Sequence, residues 1–258
     1  MKKYYLLLLF VSSFVNAQIV NIPDANLKNK LLSASVENGV ARDINYNSIK
    51  LDINNDNEIQ VSEALLAYSL NVTNSNIIQM IGVESFQNLT QLECYANPLG
   101  SLDVSALINL EFLSSGISQL YNLDVSGLVN LKGLSLGSSQ LTTLDLSNLV
   151  SLEYVICSNN LLTSINLTNV PNLNQLTCND NLITNLDFST ALGVTVITAQ
   201  NNQLTSLSLL NLNELVQVNV SINQLTFLQI ENCPELSHVY FANNLLTNVS
   251  MLGTPEIH

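Results

Sequence analysis

Residues 172–194 read NLNQLTCNDNLITNLDFSTALGV. Leu176 and Cys178 flank the polar Thr177, the period-2 alternation of a strand with one buried face. Asn181 then marks a bend, where its side-chain amide can bond backbone groups that the turn leaves unpaired.

The same pattern recurs at a fixed step. The leading apolar position falls at Leu89, Leu110, Leu131, Leu152, Leu173, Val194, Leu215 and Leu236, every step being 21 residues. The second keeps pace as Leu92, Leu113, Leu134, Val155, Leu176, Ile197, Val218 and Val239. The bend position reads Asn97, Ser118, Ser139, Asn160, Asn181, Asn202, Asn223 and Asn244. An earlier copy, 22 residues long, begins near Leu70. One such unit cannot bury its own apolar side, so the core closes only by stacking coil on coil. The expected fold is a β-rich solenoid, a right-handed superhelix of 21-residue coils with parallel sheets and a small helical N-terminal cap. A second short strand is expected at Leu-Asp-Val-Ser, as in Leu102 to Ser105 and Leu123 to Ser126. The stacked Asn residues should form an internal ladder that weakens at Ser118 and Ser139.

The motif carried by Leu173, Leu176, Cys178, Asn181 and Ile183 resembles the leucine-rich-repeat family over roughly residues 70–256. The coil length is similar to that of its internalin-like bacterial branch. That resemblance implies a surface or secreted protein that binds other proteins, host receptors among them.

Composition agrees with a repeat. The 258 residues include 49 Leu and 38 Asn against 7 Lys plus Arg and no Trp. The net charge of −13 argues against nucleic acid, which requires a basic face. Residues 1–17 have the form of a secretory signal: Lys2 and Lys3, an apolar run from Tyr4 to Phe14, and Val15-Asn16-Ala17 before Gln18. The run is too short to span a bilayer, so cleavage near Ala17 and a secreted or cell-surface location are expected, without membrane insertion. Three segments follow: the signal at 1–17, a cap at 18–69 and the repeats at 70–258.

Within the cap, residues 52–63 match the order of a twelve-residue EF-hand calcium loop. Asp52, Asn54 and Asp56 stand at positions 1, 3 and 5, Ile59 at 8 and Glu63 at 12; Glu58 would offer its backbone carbonyl and Gln60 a water. Position 6 is Asn57 where the EF-hand motif has Gly, a tolerable replacement because Asn accepts the left-handed backbone. Asp43 to Leu51 does not read as a helix, whereas Val61 to Tyr68 does, giving half of an EF-hand with a weak, structural Ca2+ site. Asp24 to Ser33, with Leu27, Leu31 and Leu32 at helical spacing after Pro23, suits a helix covering the open core.

Four Cys in an exported chain suggest two disulfides. The repeat places Cys94, Cys157, Cys178 and Cys233 on inward columns, however, where a thiol packs as a small hydrophobe and parallel neighbours seldom meet disulfide geometry. The outward strand columns are polar and nearly uncharged. Tyr95, Phe112, Tyr154, Ile156, His238 and Tyr240 stand out on them as partner-binding candidates, in one early group and one at the last coil. A further column, Asp103, Asp124, Asp145, Asn166 and Asp187, is expected to bond the turn that follows it.

Only His238 and His258 are present, and no triad, phosphate loop or zinc spacing occurs. The expected function is therefore a non-catalytic protein-interaction scaffold, adhesin-like or adaptor. Calcium-dependent surface assembly and carbohydrate binding are the alternatives. The eighth repeat ends near Glu256 without a capping helix, which anticipates either a longer protein or self-association through the uncapped C-terminal coil.

Overall fold

The computed structural model describes residues 18–255. The expected signal and its cleavage point, like Glu256 to His258, lie outside the described residues.

The chain winds as a solenoid whose main side is a ten-stranded sheet. The first pair, Ala41–Arg42 and Ser69–Asn71, is antiparallel; all later pairs are parallel. Leu70 faces Leu92 across the one 22-residue step. From Gln91–Glu93 through Phe112–Ser114, Gly133–Ser135, Tyr154–Ile156, Gln175–Thr177, Val196–Thr198 and Gln217–Asn219 to His238–Tyr240, partners are 21 residues apart. The central residue of each strand from Leu92 to Val218 is buried, as the alternation requires.

The other side of the coil is less regular. Thr143–Asp145 pairs with Ser164–Asn166, and Ser206–Leu210, Phe227–Glu231 and Asn248–Leu252 form a three-stranded sheet. The strands expected at Leu102 to Ser105 and Leu123 to Ser126 are not formed. Leu102, Val104, Leu123 and Val125 are nevertheless buried, while Asp103 and Asp124 are exposed. Alternation reports which way side chains point; a ladder needs adjacent backbones about 4.8 Å apart as well. Asp103, Asp124, Asp145 and Asp187 accept from the amides of Ser105, Ser126, Ser147 and Ser189, so the acidic column is spent on local turns.

The Asn ladder is built by bonds to backbone. Asn181 donates to the carbonyls of Cys178 and Asn179 in its own coil and of Cys157 in the coil before, and accepts from Leu162 N–H. Asn160, Asn202 and Asn223 repeat this arrangement, and all four side chains are nearly or fully buried. At the two Ser coils the ladder is replaced by a hydroxyl pair, Ser118 with Ser139 at 2.8 Å. The residue before each ladder position has a left-handed backbone: Ala96, Ile117, Ser138, Asn159, Asp180, Asn201, Ile222 and Asn243 all have φ between 47° and 60°.

At the N-terminal end, the helix Ala25–Leu32 buries Leu27 and Leu31 against the first coil. One oxygen of buried Asp24 accepts from Asn26 and Leu27 N–H at the helix start. The other accepts from Ile78 and Gln79 N–H more than fifty residues away. Burial works against the charge, yet these four amides hold the Asp24 carboxyl below the usual carboxylate value. The outgoing helix expected over Val61 to Tyr68 is a single turn, Val61–Ala64. It stops because Tyr68 N–H must donate to Arg42 and Ser69–Asn71 must enter the main sheet.

Candidate functional site

On the strand face three of the expected aromatic residues meet. Phe112 and Tyr154 lie two coils apart, yet their rings stack with centroids 6.1 Å apart at an interplanar angle of 26°. Between them in the same column is Gly133. A Cβ built there would lie 2.4 Å from the Tyr154 ring, so the ring rests on the space a side chain would fill. Tyr95 leans the other way, over Gly116, where a Cβ would lie 3.2 Å from its ring. The rings of Tyr95 and of Phe112 with Tyr154 thus flank a notch of about 340 Å³ floored by Ser114, Gly133 and Ser135.

Glu93 lines the notch. Its carboxylate is oriented by Asn71 Nδ2 at 2.7 Å and Gln91 Nε2 at 2.6 Å. Among the described residues the ion pairs are Lys28–Glu58 and Lys132–Glu111, so Glu93 has no cationic partner. Partial burial, and after it the charge of Glu153, raises the pKa of the Tyr154 hydroxyl. Sequence reasoning placed Phe112 and Tyr154 in one column, but the Gly133 beneath them and the carboxylate of Glu93 were not part of the expected set.

Ile156 is exposed in the neighbouring column beyond this notch. His238 and Tyr240 are remote from it, on the final strand of the main sheet, and stack with centroids 6.4 Å apart. His238 also shares a 2.8 Å hydrogen bond with Ser237 Oγ.

The expected calcium loop folds with the backbone such a loop needs. Asn57 at position 6 is left-handed, φ 63°. Buried Asp52 accepts from the amides of Asp56 at 3.2 Å and Asn57 at 3.3 Å. Glu63 bridges the ends, its oxygens accepting from Ile53 N–H at 2.7 Å and Gln60 N–H at 3.0 Å. The side chains, however, are turned toward one another. Asn54 Nδ2 and Gln60 Nε2 both donate to Asp56 Oδ2 at 2.8 Å. Among the described residues no three acidic, His or Cys side chains converge on a point where an ion would sit. The donor set and backbone frame fit calcium; the amide groups of Asn54 and Gln60 would have to rotate to present oxygen. Glu58 directs its side chain to Lys28 of the cap helix at 2.7 Å, tying loop to helix.

The coil length, the single-sided strands and the inward Asn ladder define a leucine-rich-repeat solenoid. Internalin C2 from Listeria monocytogenes is similar, with a TM-score of 0.63 at 22% identity, over 81% of this chain and 89% of that one. YopM from Yersinia enterocolitica is similar with a TM-score of 0.63 at 22% identity, covering 74% of this chain. The Toll–Spatzle complex of Drosophila contains a chain similar with a TM-score of 0.63 at 19% identity, over 72% of this chain. The present chain spans 41% of that YopM chain and 29% of the Toll-complex chain. No family model matches the sequence, and no curated protein matches it. Among the described residues no helix is long and apolar enough to cross a membrane.

Proposed function

We propose that this protein is an exported, non-catalytic scaffold that binds a protein partner on its main strand face. The observation that carries this reading is the notch between Tyr95, Phe112 and Tyr154. Large rings over a glycine floor supply rigid contact area at low entropic cost, which is how interface hot spots are built. Proteins with similar solenoids add support: the Toll structure is described as a complex with Spatzle, and YopM from Yersinia pestis as an effector. Export rests on the form of residues 1–17. The test is to pan a displayed random-peptide library against the protein and re-screen the enriched clones on a Phe112→Ser, Tyr154→Ser variant with unchanged melting temperature. Clones that lose binding support the strand face; clones that bind the variant equally place the interaction elsewhere.

The scaffold reading includes a structural calcium ion held by Asp52, Asn54, Asp56, the Glu58 carbonyl, Gln60 and Glu63. The ion would supply positive charge to a loop that carries Asp52, Asp56 and Glu63, drawing these carboxylates together, and so pin the cap to the first coil.

A further inference from the structure

We propose that the aromatic notch receives a cationic side chain, the guanidinium of an arginine, presented by a basic segment of the protein partner; this rests on the strand-face reading above.

The argument is one of chemistry and charge. Tyr95, Phe112 and Tyr154 offer ring faces whose negative quadrupoles attract a cation within about 6 Å. Beside them the Glu93 carboxylate lines the same notch and carries no counter-ion of its own. Asn71 and Gln91 each donate one bond to it, one to each oxygen, and so fix its plane while leaving further acceptor sites. Rings for stacking and a fixed carboxylate for a bidentate bond are what a planar guanidinium uses, and an ammonium uses less well.

Among the described residues no Lys or Arg side chain pairs with Glu93: Arg42, on the same sheet, donates to the Tyr46 carbonyl. From Leu89 onward the sole Lys or Arg is Lys132. Its ammonium is held by Glu111 at 2.9 Å. Glu153, in the same column as Glu111 and Lys132, adds a further carboxylate next to Tyr154, and both carboxylates share the one Lys132. With a net charge of −13 on the whole chain, the surrounding field draws a basic partner and repels an acidic one. An apolar side chain would leave Glu93 desolvated without compensation, and a sugar hydroxyl could bond the carboxylate but would bring no charge to it.

The test uses the protein labelled with 3-fluorotyrosine, with the Tyr95 and Tyr154 signals assigned through Tyr→Phe variants. Fluorine NMR follows titration with N-acetylarginine methylamide, and separately with its neutral analogue N-acetylcitrulline methylamide. The expected result is a saturable shift of both signals with the arginine probe, and about tenfold weaker binding of the citrulline probe, the measure of one charge-assisted contact. Glu93→Gln should remove most of that preference while the melting temperature holds. Should that variant misfold, Tyr154→Leu serves in its place and should weaken the arginine probe more than the citrulline probe, since the lost ring face attracts the cation; an unchanged preference overturns the inference. Equal affinity for the two probes, or no shift up to the solubility limit of the arginine probe, overturns the inference. The strand-face reading fails separately: library clones lost on the Phe112→Ser, Tyr154→Ser variant yet poor in Arg would leave that reading standing and sink this one.

Discussion

Phe112 and Tyr154 stack across an intervening coil because Gly133 has no side chain to hold their rings apart. Strands two coils apart are separated by roughly 9.6 Å, so a centroid distance of 6.1 Å means that the rings lean together over the gap. Gly133→Ala puts a methyl group 2.4 Å from the ring of Tyr154. The atoms met are the far end of a movable side chain, and Gly133 is not among the residues with positive φ. The expected outcome is therefore a melting temperature that stays level or rises, since the unfolded chain loses about 0.4–1 kcal/mol of entropy advantage, with the Tyr154 fluorine signal displaced and strand-face binding reduced. A large drop in stability would show that the stack is part of the core and not a surface site.

The ladder predicts a different hierarchy. Asn181→Ala removes three donated bonds and one accepted bond in a buried setting. The carbonyls of Cys157 and Cys178 then lose a partner inside the core. A loss of about 2–4 kcal/mol is expected from unsatisfied buried groups. Ser118→Ala removes a single hydroxyl contact with Ser139 and should cost about 1 kcal/mol or less. Urea melts of the two variants check the order; a costlier Ser118→Ala would mean that the hydroxyl pair, and not the amide ladder, holds adjacent coils.

The left-handed column makes a prediction in the stabilising direction. Ile222 has φ 55° and is 42% exposed, a backbone that a β-branched residue resists and Asn accepts. The equivalent positions one coil away hold Asn201 and Asn243. Ile222→Asn should raise stability by about 1 kcal/mol, read as a higher melting temperature. A fall would mean that the Ile222 side chain packs more profitably than its backbone strains.

These positions also show how far the sequence could be read. The 21-residue step gave the strand register residue for residue, Leu176 opposite Ile197 and Ile197 opposite Val218, because burial of one face leaves no other alignment. The inward ladder accounts for only part of the Asn content. Two further Asn-rich columns carry it as well, one through Asn159, Asn201 and Asn243 and one through Asn148, Asn169, Asn211 and Asn232, all left-handed. Their period was visible, but Ile117 and Ile222 in the first column obscured the conformational reason. The aromatic candidates were legible as columns; that Tyr95 and Tyr154 lean toward a shared notch depends on glycines at 116 and 133, a packing fact that no local pattern reports. The helix that begins at Asp24 was legible from the spacing of Leu27 and Leu31, whereas the Asp24 oxygen that bonds Ile78 and Gln79 depends on how cap and coil dock.

Calcium should act on the cap. Calorimetric titration is expected to show one weak site, of order 10⁻⁴ to 10⁻³ M as in extracellular modules, with a rise in melting temperature. Asp52→Ala with Glu63→Ala should abolish binding, and should also destabilise the calcium-free protein, because Asp52 and Glu63 accept four of the loop's amides at 3.3 Å or closer. Absence of binding at millimolar calcium would leave the loop as a self-bonded turn.

The buried thiols give a pH signature. All four cysteines are free and buried. Burial pushes the Cys94 thiol up to about 11 and Cys178 to about 12 from an unfolded value of 9.0. A folded value above the unfolded one favours the folded state fully below pH 9 and loses that contribution as pH climbs toward the folded values, since the unfolded chain gives up its thiol protons first. Each unit of difference corresponds to about 1.4 kcal/mol per thiol. Stability should therefore fall between pH 9 and about 11–12, more steeply in the wild type than in a Cys94→Ala, Cys178→Ala variant, which keeps only the thiols of Cys157 and Cys233, also raised by burial. Alanine already occupies the same inward column at Ala199, so the variant should fold. Ellman's reagent provides the companion measurement: no thiol should react in the native state at pH 8, and four should react after unfolding. Rapid native reaction of Cys157 or Cys178, or identical alkaline slopes for the two proteins, would show that these coils open to solvent and that the core is not sealed along the column they share.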